Sequence, residues 1–470
     1  MKTNPRALSI KILCRRQETG HPVDQVMEQL LTAEPCSPQD RQLVMAIVFG
    51  VLRRQRYLDF ILAGVSRHPL AKMKNLTLQA LRVGLYQLAF MDRIPPSAAV
   101  NETVAALRAA RQPKWLTGFV NGLLRTLARK DGLLAQPGEI AGIPPAVAHS
   151  HPDWLFDRWQ QRFGREKAVA ICAHNNSRPG LCLCVNSRRI SRSDYLDMAA
   201  RAGIAAQAGE YSPDAVLLED FKGPVSGLPG YEQGFFIIQD EGAQLITGML
   251  FPLRLGKYLD ACAGLGGKTI QLAHMAPEGS HVTAIEPNIH RFDLLRENIA
   301  RLGLDSIVTC CNCSLADFAS STEERFDAVL VDAPCSGLGV IRRQPDIRWN
   351  RCPDDLRRYH EEQLHLLDTA VGLIAPDGSF VYATCSTEPE ENDGVAGKFL
   401  QKHADFSPAK TEELAEYLRI FINEQGFLQF LPEEGHDGFF AARFTKKGDR
   451  RQKSGDRITA QNQNILTSDS

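Results

Sequence analysis

The sequence has no apolar run approaching about 18 residues and no hydrophobic stretch near its N-terminus, so neither a membrane-spanning helix nor a secretory leader is expected. A cytoplasmic protein with no membrane partner is the expectation. It also lacks the combined Cys/His ligand spacing that holds zinc, and no metal is expected. Its twelve cysteines are therefore read as reduced thiols. Cys182, Cys184, Cys310 and Cys311 sit in apolar, strand-like runs, where a thiol acts as a small hydrophobe. Net charge is nearly absent as well, at −1 over 470 residues, but that total hides an asymmetry. Residues 1–135 hold 20 Lys and Arg against 9 Asp and Glu, a balance of +11 that leaves −12 for the remainder. A basic module of this kind suits a polyanionic partner, although a solvated helical face would give the same count.

A further absence lies in the stretch on which the rest of the chain turns, Tyr258-Leu259-Asp260-Ala261-Cys262-Ala263-Gly264-Leu265-Gly266-Gly267-Lys268-Thr269. Gly267-Lys268-Thr269 matches the tail of a phosphate-binding P-loop, but the position where such a loop needs its first glycine is Cys262. That excludes a P-loop. What remains reads as a buried strand, a glycine turn and the opening of a helix, the arrangement by which α/β folds bring backbone N–H groups to a cofactor. Glu286 ends the next strand-like run, His281-Val282-Thr283-Ala284-Ile285, and in a Rossmann-like unit an acid there binds ribose hydroxyls.

At this length several domains are expected. Residues 5–130 read as helices throughout: Ser37-Pro38 is an N-cap with proline at the first helical position, and Leu43, Val44, Ile47, Val48, Val51 and Leu52 form an apolar face. Leu78, Leu81, Leu85 and Leu88 form a second stripe, ended by Arg93-Ile94-Pro95-Pro96. Glycines and prolines across 131–145 mark a linker and a domain boundary after residue 135. Residues 146–232 read as a small α+β domain, with strands at Leu181–Asn186 and Ala215–Leu218 and a helix at Arg192–Ala202 capped by Ser191. From residue 233 to 446 strands alternate with helices: Tyr258–Cys262, His281–Glu286, Ile307–Cys311, Phe326–Asp332 and Ser379–Thr384 are the strands, and Ile289–Leu302 is one of the helices. Such alternation means a mainly parallel sheet covered on both faces, with its ligand at the carboxyl ends of the strands, where Asp260, Glu286, Asn312, Asp332 and Cys385 fall. Residues 447–470 lack apolar periodicity and read as a disordered tail.

Two cysteines stand just past strands in turn-forming contexts, Asp332-Ala333-Pro334-Cys335-Ser336-Gly337 and Tyr382-Ala383-Thr384-Cys385-Ser386-Thr387-Glu388-Pro389. A lone cysteine is more often structural. A pair on the face where a cofactor loop opens points instead to nucleophilic chemistry.

The residues resemble the Sun/RsmB family of ribosomal RNA cytosine-5 methyltransferases over nearly the whole chain. Its signature blocks match Asp260–Thr269, Asp-Ala-Pro-Cys-Ser at 332–336 and Ala-Thr-Cys-Ser at 383–386, with support from Gln239-Asp240-Glu241, Pro389-Glu390-Glu391-Asn392 and Asp437-Gly438-Phe439-Phe440. Phe49-Gly50-Val51-Leu52-Arg53, Leu85-Tyr86-Gln87-Leu88, Ile94–Glu102 and Val120–Arg125 resemble the NusB-type RNA-binding domain that heads the family. The resemblance implies a multidomain chain: an all-α NusB-like bundle, a small α+β ferredoxin-like domain and an α/β Rossmann-like methyltransferase domain. It implies S-adenosylmethionine as cofactor, 16S ribosomal RNA as partner and 5-methylcytosine as product, and a monomer is expected. Cys385 takes the role of the nucleophile on cytosine carbon 6, Cys335 a role in product release, Asp332 the N3 edge of the base, and Lys268 a contact to the target nucleotide. Cys262, Ala263, Gly264, Leu265, Gly266, Gly267 and Lys268 surround the cofactor's methionine part, Glu286 its ribose and Asn312 its adenine, with Asp332 also at the cofactor site. Leu265, Glu286, Asn312 and Cys184 depart from the family's usual proline, aspartate, aspartate and arginine. A non-catalytic RNA-binding or antitermination factor on the same scaffold is the alternative, and the two thiols argue against it. A DNA cytosine-5 methyltransferase is disfavoured because its nucleophile lies in the Pro-Cys block alone.

Overall fold

The computed structural model describes residues 4–129, 142–219, 221–432 and 436–446. Most of the 131–145 linker and all of the 447–470 tail lie outside the described residues. The chain divides into two compact units, one of residues 1–179 with 340–353, the other of residues 180–339 with 354–470. The segment 146–232 read as one small domain thus has helices Asp153–Phe163 and Arg165–Asn176 in the first unit, and its strands and helix Arg192–Arg201 in the second.

The first unit is helical. Its longest helix, Pro38–Val65, begins as its sequence predicts: Pro38 occupies the first turn and the Ser37 hydroxyl accepts the Asp40 N–H at 3.1 Å. Val44, Ile47, Val48, Val51 and Leu52 are buried, with Leu43 at the core's margin. Helix Asn75–Phe90 crosses close by, because Gly50 has no Cβ; one placed there would lie 1.9 Å from the Tyr86 ring. Helices Pro96–Ala109 and Lys114–Arg129 complete the bundle, and Asp153–Phe163 and Arg165–Asn176 follow. Residues 340–353 belong to this unit although they lie between two strands of the other in sequence. Their anchor is the fully buried Arg348, which donates to the Ser150 and Asn175 carbonyls and at 2.8 Å to Asn176 Oδ1.

The second unit holds two sheets among its described residues. One is antiparallel, in the order β2-β3-β1-β4, from β1 (Leu181–Val185), β2 (Ala206–Ala208), β3 (Ala215–Leu218) and β4 (Phe236–Ile238). Cys184 is buried in β1, so it presents no surface to RNA. The other sheet has eight strands: β5 (Lys257–Asp260), β6 (His281–Ile285), β7 (Val308–Cys311), β8 (Phe326–Asp332), β9 (Ile374–Thr384), β10 (Phe406–Pro408), β11 (Leu428–Phe430) and β12 (Phe439–Lys446). Its main path runs β10-β12-β9-β8-β5-β6-β7, with β11 on β12. Pairings from β9 through β7 are parallel and those of β12 are antiparallel, which makes the sheet mixed. Val329, Val331, Phe380, Tyr382, Phe440 and Phe444 alternate along β8, β9 and β12 to fill the core on one face. No helix of the described residues is long and apolar enough to cross a membrane.

Candidate active site

Parallel strands all deliver their carboxyl ends to one edge of the sheet, and the sheet order fixes what stands beside what. Reading across from β9 to β7, that edge carries Cys385, then Asp332 and Cys335, then Asp260 and the glycine turn, then Glu286, then Asn312. The thiols are gathered on one side of the turn and the candidate ribose and adenine contacts on the other.

Asp260 is buried at the end of β5 and organises the turn. It accepts the Cys262 N–H at 3.3 Å and the Thr269 hydroxyl at 2.7 Å. Burial pushes its carboxyl up to about 6, with the Thr269 hydroxyl pulling the other way. Because that value lies above the ordinary 3.8, Asp260 lowers stability progressively as pH rises from about 4 to about 6. Gly264 and Gly266 take φ of +58° and +92°, and a Cβ on Gly266 would lie 2.6 Å from Leu295. A Cβ on Gly264, by contrast, would meet nothing within 4 Å, so this part of the turn faces open space.

Not every N–H expected at the cofactor is available to it. Those of Cys262, Ala263 and Gly266 are spent on Asp260, on the Ile285 carbonyl and on the Ala263 carbonyl. Helix Gly267–Met275 has no side-chain cap, which leaves its N-terminal N–H groups at Gly267 and Lys268 to face an anionic group. Glu286 gives Oε1 to the Asn288 N–H at 2.7 Å and keeps its other oxygen. Asn312 donates through Nδ2 to the Glu286 and Pro287 carbonyls, which orients its acceptor oxygen outward as the amide's remaining group. An open glycine turn, an uncapped helix start and two spare acceptors fit a nucleoside carrying an amino-acid tail.

On the other side, Lys268 Nζ donates to Asp332 Oδ2 at 2.6 Å, with the lysine side chain 12% exposed. Burial works to lower the Lys268 pKa, but the charge and hydrogen bond of Asp332 override it and the ammonium ends raised. Cys335 and Cys385 lie with their sulfurs 3.3 Å apart. The hydrogen bond to Cys385, together with burial, pushes the Cys335 thiol well above its ordinary range, so it stays protonated at neutral pH.

The sequence reading missed what holds the two thiols together. Glu391 is fully buried; Oε1 accepts the Ser336 N–H at 2.7 Å and Gln363 Nε2 at 3.2 Å, and Oε2 accepts the Ser336 and Ser386 hydroxyls at 2.5 Å each. Both serines directly follow the cysteines, so one carboxylate ties both loops. Close backbone contact adds to this, since Gly339 N–H donates to the Cys385 carbonyl and a Cβ on Gly339 would strike the Gly438 carbonyl at 2.1 Å. Glu391→Ala would remove the acceptor that four buried donors share, of which Gln363 Nε2 keeps the Pro334 carbonyl, and is expected to destabilise the fold by about 3 kcal/mol or more, read as a lowered Tm by calorimetry. Glu391→Gln, which keeps the shape while the hydroxyls turn to accept, should lose less than half as much.

The family pattern described as "16S rRNA methyltransferase RsmB/F" matches residues 249–445, "NusB family" matches 3–129, and the RsmF/B-like "ferredoxin-like domain" matches 151–225. "Probable ribosomal RNA small subunit methyltransferase B" of Bacillus subtilis (strain 168) is 35% identical over 454 residues, covering 95% of this chain and 100% of that protein. The chain belongs to the RsmB/F family of 16S rRNA methyltransferases. "Ribosomal RNA small subunit methyltransferase B" of Escherichia coli O6:K15:H31 (strain 536 / UPEC) is 36% identical over 447 residues, 94% of this chain and 99% of that protein. Among solved structures, a "Methyltransferase Homolog Protein from Pyrococcus Horikoshii" superposes with a TM-score of 0.54 at 26% identity, over 64% of this chain and 97% of that one. The three loops that meet at the edge of the parallel strands all fall within the residues 249–445 that the RsmB/F pattern matches.

Proposed function

We propose that this chain transfers a methyl group from S-adenosylmethionine to carbon 5 of a specific cytosine in 16S ribosomal RNA, through a covalent bond between Cys385 and carbon 6. The observation that carries this reading is the pair of sulfurs 3.3 Å apart beside the Lys268–Asp332 pair, on the edge of the sheet where the glycine turn opens. Carbon 5 of cytosine is a weak nucleophile, and addition of a thiolate to carbon 6 makes it enamine-like. The attack is assigned to Cys385, which follows β9 on the open edge, and the neighbouring Cys335, whose thiol is pushed up, to the later step. The charge that gathers on the base reaches N3, where the proton-bearing Lys268, held at that edge by the Asp332 carboxylate, can supply a hydrogen bond or a proton. S-adenosylmethionine, bound at the glycine turn, supplies an electrophilic methyl group. After transfer the carbon 5 proton passes to solvent water, its bonding pair re-forms the double bond between carbons 5 and 6, and the bond from Cys385 to carbon 6 breaks with its electron pair returning to the departing sulfur. The Cys335 thiol, 3.3 Å from that sulfur, would favour its departure by donating a hydrogen bond to it. The basic bundle and the small domain would bind the RNA. A reducing, cytoplasmic setting would suit twelve cysteines that are all free.

Glu286 would hold the ribose by charge-assisted hydrogen bonds, so Glu286→Ala should weaken S-adenosylmethionine binding by roughly tenfold to a hundredfold in a calorimetric titration. Asn312→Ala should weaken it less, and wild-type affinity in Glu286→Ala would remove that residue from the site. The function is tested by incubating the protein with 16S RNA and S-adenosylmethionine and analysing the nucleosides: 5-methylcytidine is the expected product, and methylation at another atom or base would contradict the assignment.

A further inference from the structure

In the helical unit, the turn Leu70–Lys72 and the starts of helices Asn75–Phe90 and Lys114–Arg129 enclose a cavity of about 350 Å³ that the chemistry above does not use. Phe119, Met73 and His68 contribute to its lining, the His68 and Phe119 rings meeting edge to face at 5.6 Å. Trp115, also in the lining, leaves 71% of its surface in water, an unusual exposure for the largest apolar side chain. Lys72 and Lys74 line the same cavity, and among the described residues neither is in an ion pair. The sequence supplies no acid to compensate them: there is no Asp or Glu between Asp59 and Asp92, or between Glu102 and Asp131.

We infer that this cavity is a docking site for a nucleobase of single-stranded RNA, the base stacking on Trp115 with its flanking phosphates on Lys72 and Lys74. An aromatic platform beside uncompensated cations is the combination that binds unstacked bases and their backbone. A protein partner of ordinary composition would bring acids to some of these lysines but would not require both segments to exclude acids throughout. At about 350 Å³ the cavity has room for one base. This site rests on the reading that RNA is the partner and adds to it a contact made by side chains outside the catalytic unit.

The test uses the full chain with Trp115→Ala, an exposed truncation that leaves the core intact, and Lys72→Glu/Lys74→Glu, with affinity for a single-stranded fragment of 16S RNA measured by anisotropy at two salt concentrations. Trp115→Ala should weaken binding by roughly 5- to 100-fold and raise KM while leaving kcat at saturating RNA unchanged. Trp115→Phe should recover much of the loss, as stacking requires. The lysine variant should flatten the slope of log affinity against log salt by about 1–2. Wild-type affinity in Trp115→Ala, or a wild-type salt slope in the lysine variant, overturns the inference. If instead the wild-type protein methylated no cytosine but lost RNA binding on Trp115→Ala, the docking site would stand and the catalytic reading would fall.

Discussion

Cys335→Ala is expected to accumulate a protein–RNA species that survives denaturing electrophoresis, while Cys385→Ala forms none and loses methyl transfer by roughly 10⁴-fold or more. The asymmetry follows from the assigned roles: both sulfurs occupy one site, and the hydrogen bond to Cys385 together with burial pushes the Cys335 thiol up. Removing Cys335 leaves the attacking sulfur in place and takes away the S–H that receives it on departure, so the reaction should stop after methyl transfer with carbon 6 still bonded. Removing Cys385 leaves RNA and cofactor binding intact and carbon 5 unactivated. An adduct in Cys385→Ala but not in Cys335→Ala would exchange the two roles. Full turnover in both would end the cysteine mechanism.

The second large effect is expected at the Lys268–Asp332 pair. Lys268→Met removes the proton carrier from the N3 edge and leaves Asp332 without its partner, and kcat should fall by roughly 10²- to 10⁴-fold. Asp332→Asn should fall into the same range, because the amide cannot hold the ammonium by charge. A double variant should be little worse than either single one if the two act as a unit. Adduct formation must fall along with turnover, since N3 assistance is needed at the addition step. Undiminished adduct yield with slow turnover would move the pair's role to a later step. The Lys268 ammonium is raised above its ordinary 10.5, so its contribution to stability is fully present below that pH and is lost only as pH climbs through the raised value. Loss of activity between pH 6 and 9 therefore cannot come from this lysine.

That these loops share one edge was largely legible in the sequence because their residues announce themselves locally. A strand followed by glycines, and cysteines placed after strands beside serine and proline, each mark a loop, and parallel strands carry all such loops to the same edge. The helix Ile289–Leu302 and the strand Phe326–Asp332 have the bounds that their patterns predict. What depended on distant partners was not legible. Glu391 reads in sequence as one charge in the acidic run Glu388-Pro389-Glu390-Glu391, and only the fold buries it between Ser336 and Ser386. β2 and β4, three residues each, are too short to show an alternating pattern. β9 begins at Ile374, five residues before the expected Ser379, because Asp377 at φ +59° and a register shift opposite Phe326 and Ala328 interrupt the period. The N–H groups of Cys262, Ala263 and Gly266 could not be known to be engaged, since two of their three acceptors are side-chain and strand atoms that the turn meets only when folded. Residues 340–353 join the helical unit through Arg348, whose partners lie some 170 to 200 positions earlier in the chain.

The most direct measurement is to trap the RNA adduct of Cys335→Ala, digest both protein and RNA, and locate the nucleotide remnant by peptide mass spectrometry. A remnant with the mass of a methylated cytidine on the peptide that contains Cys385 is the predicted result. A remnant on any other cysteine, or an adduct that carries no cytidine, would contradict the account.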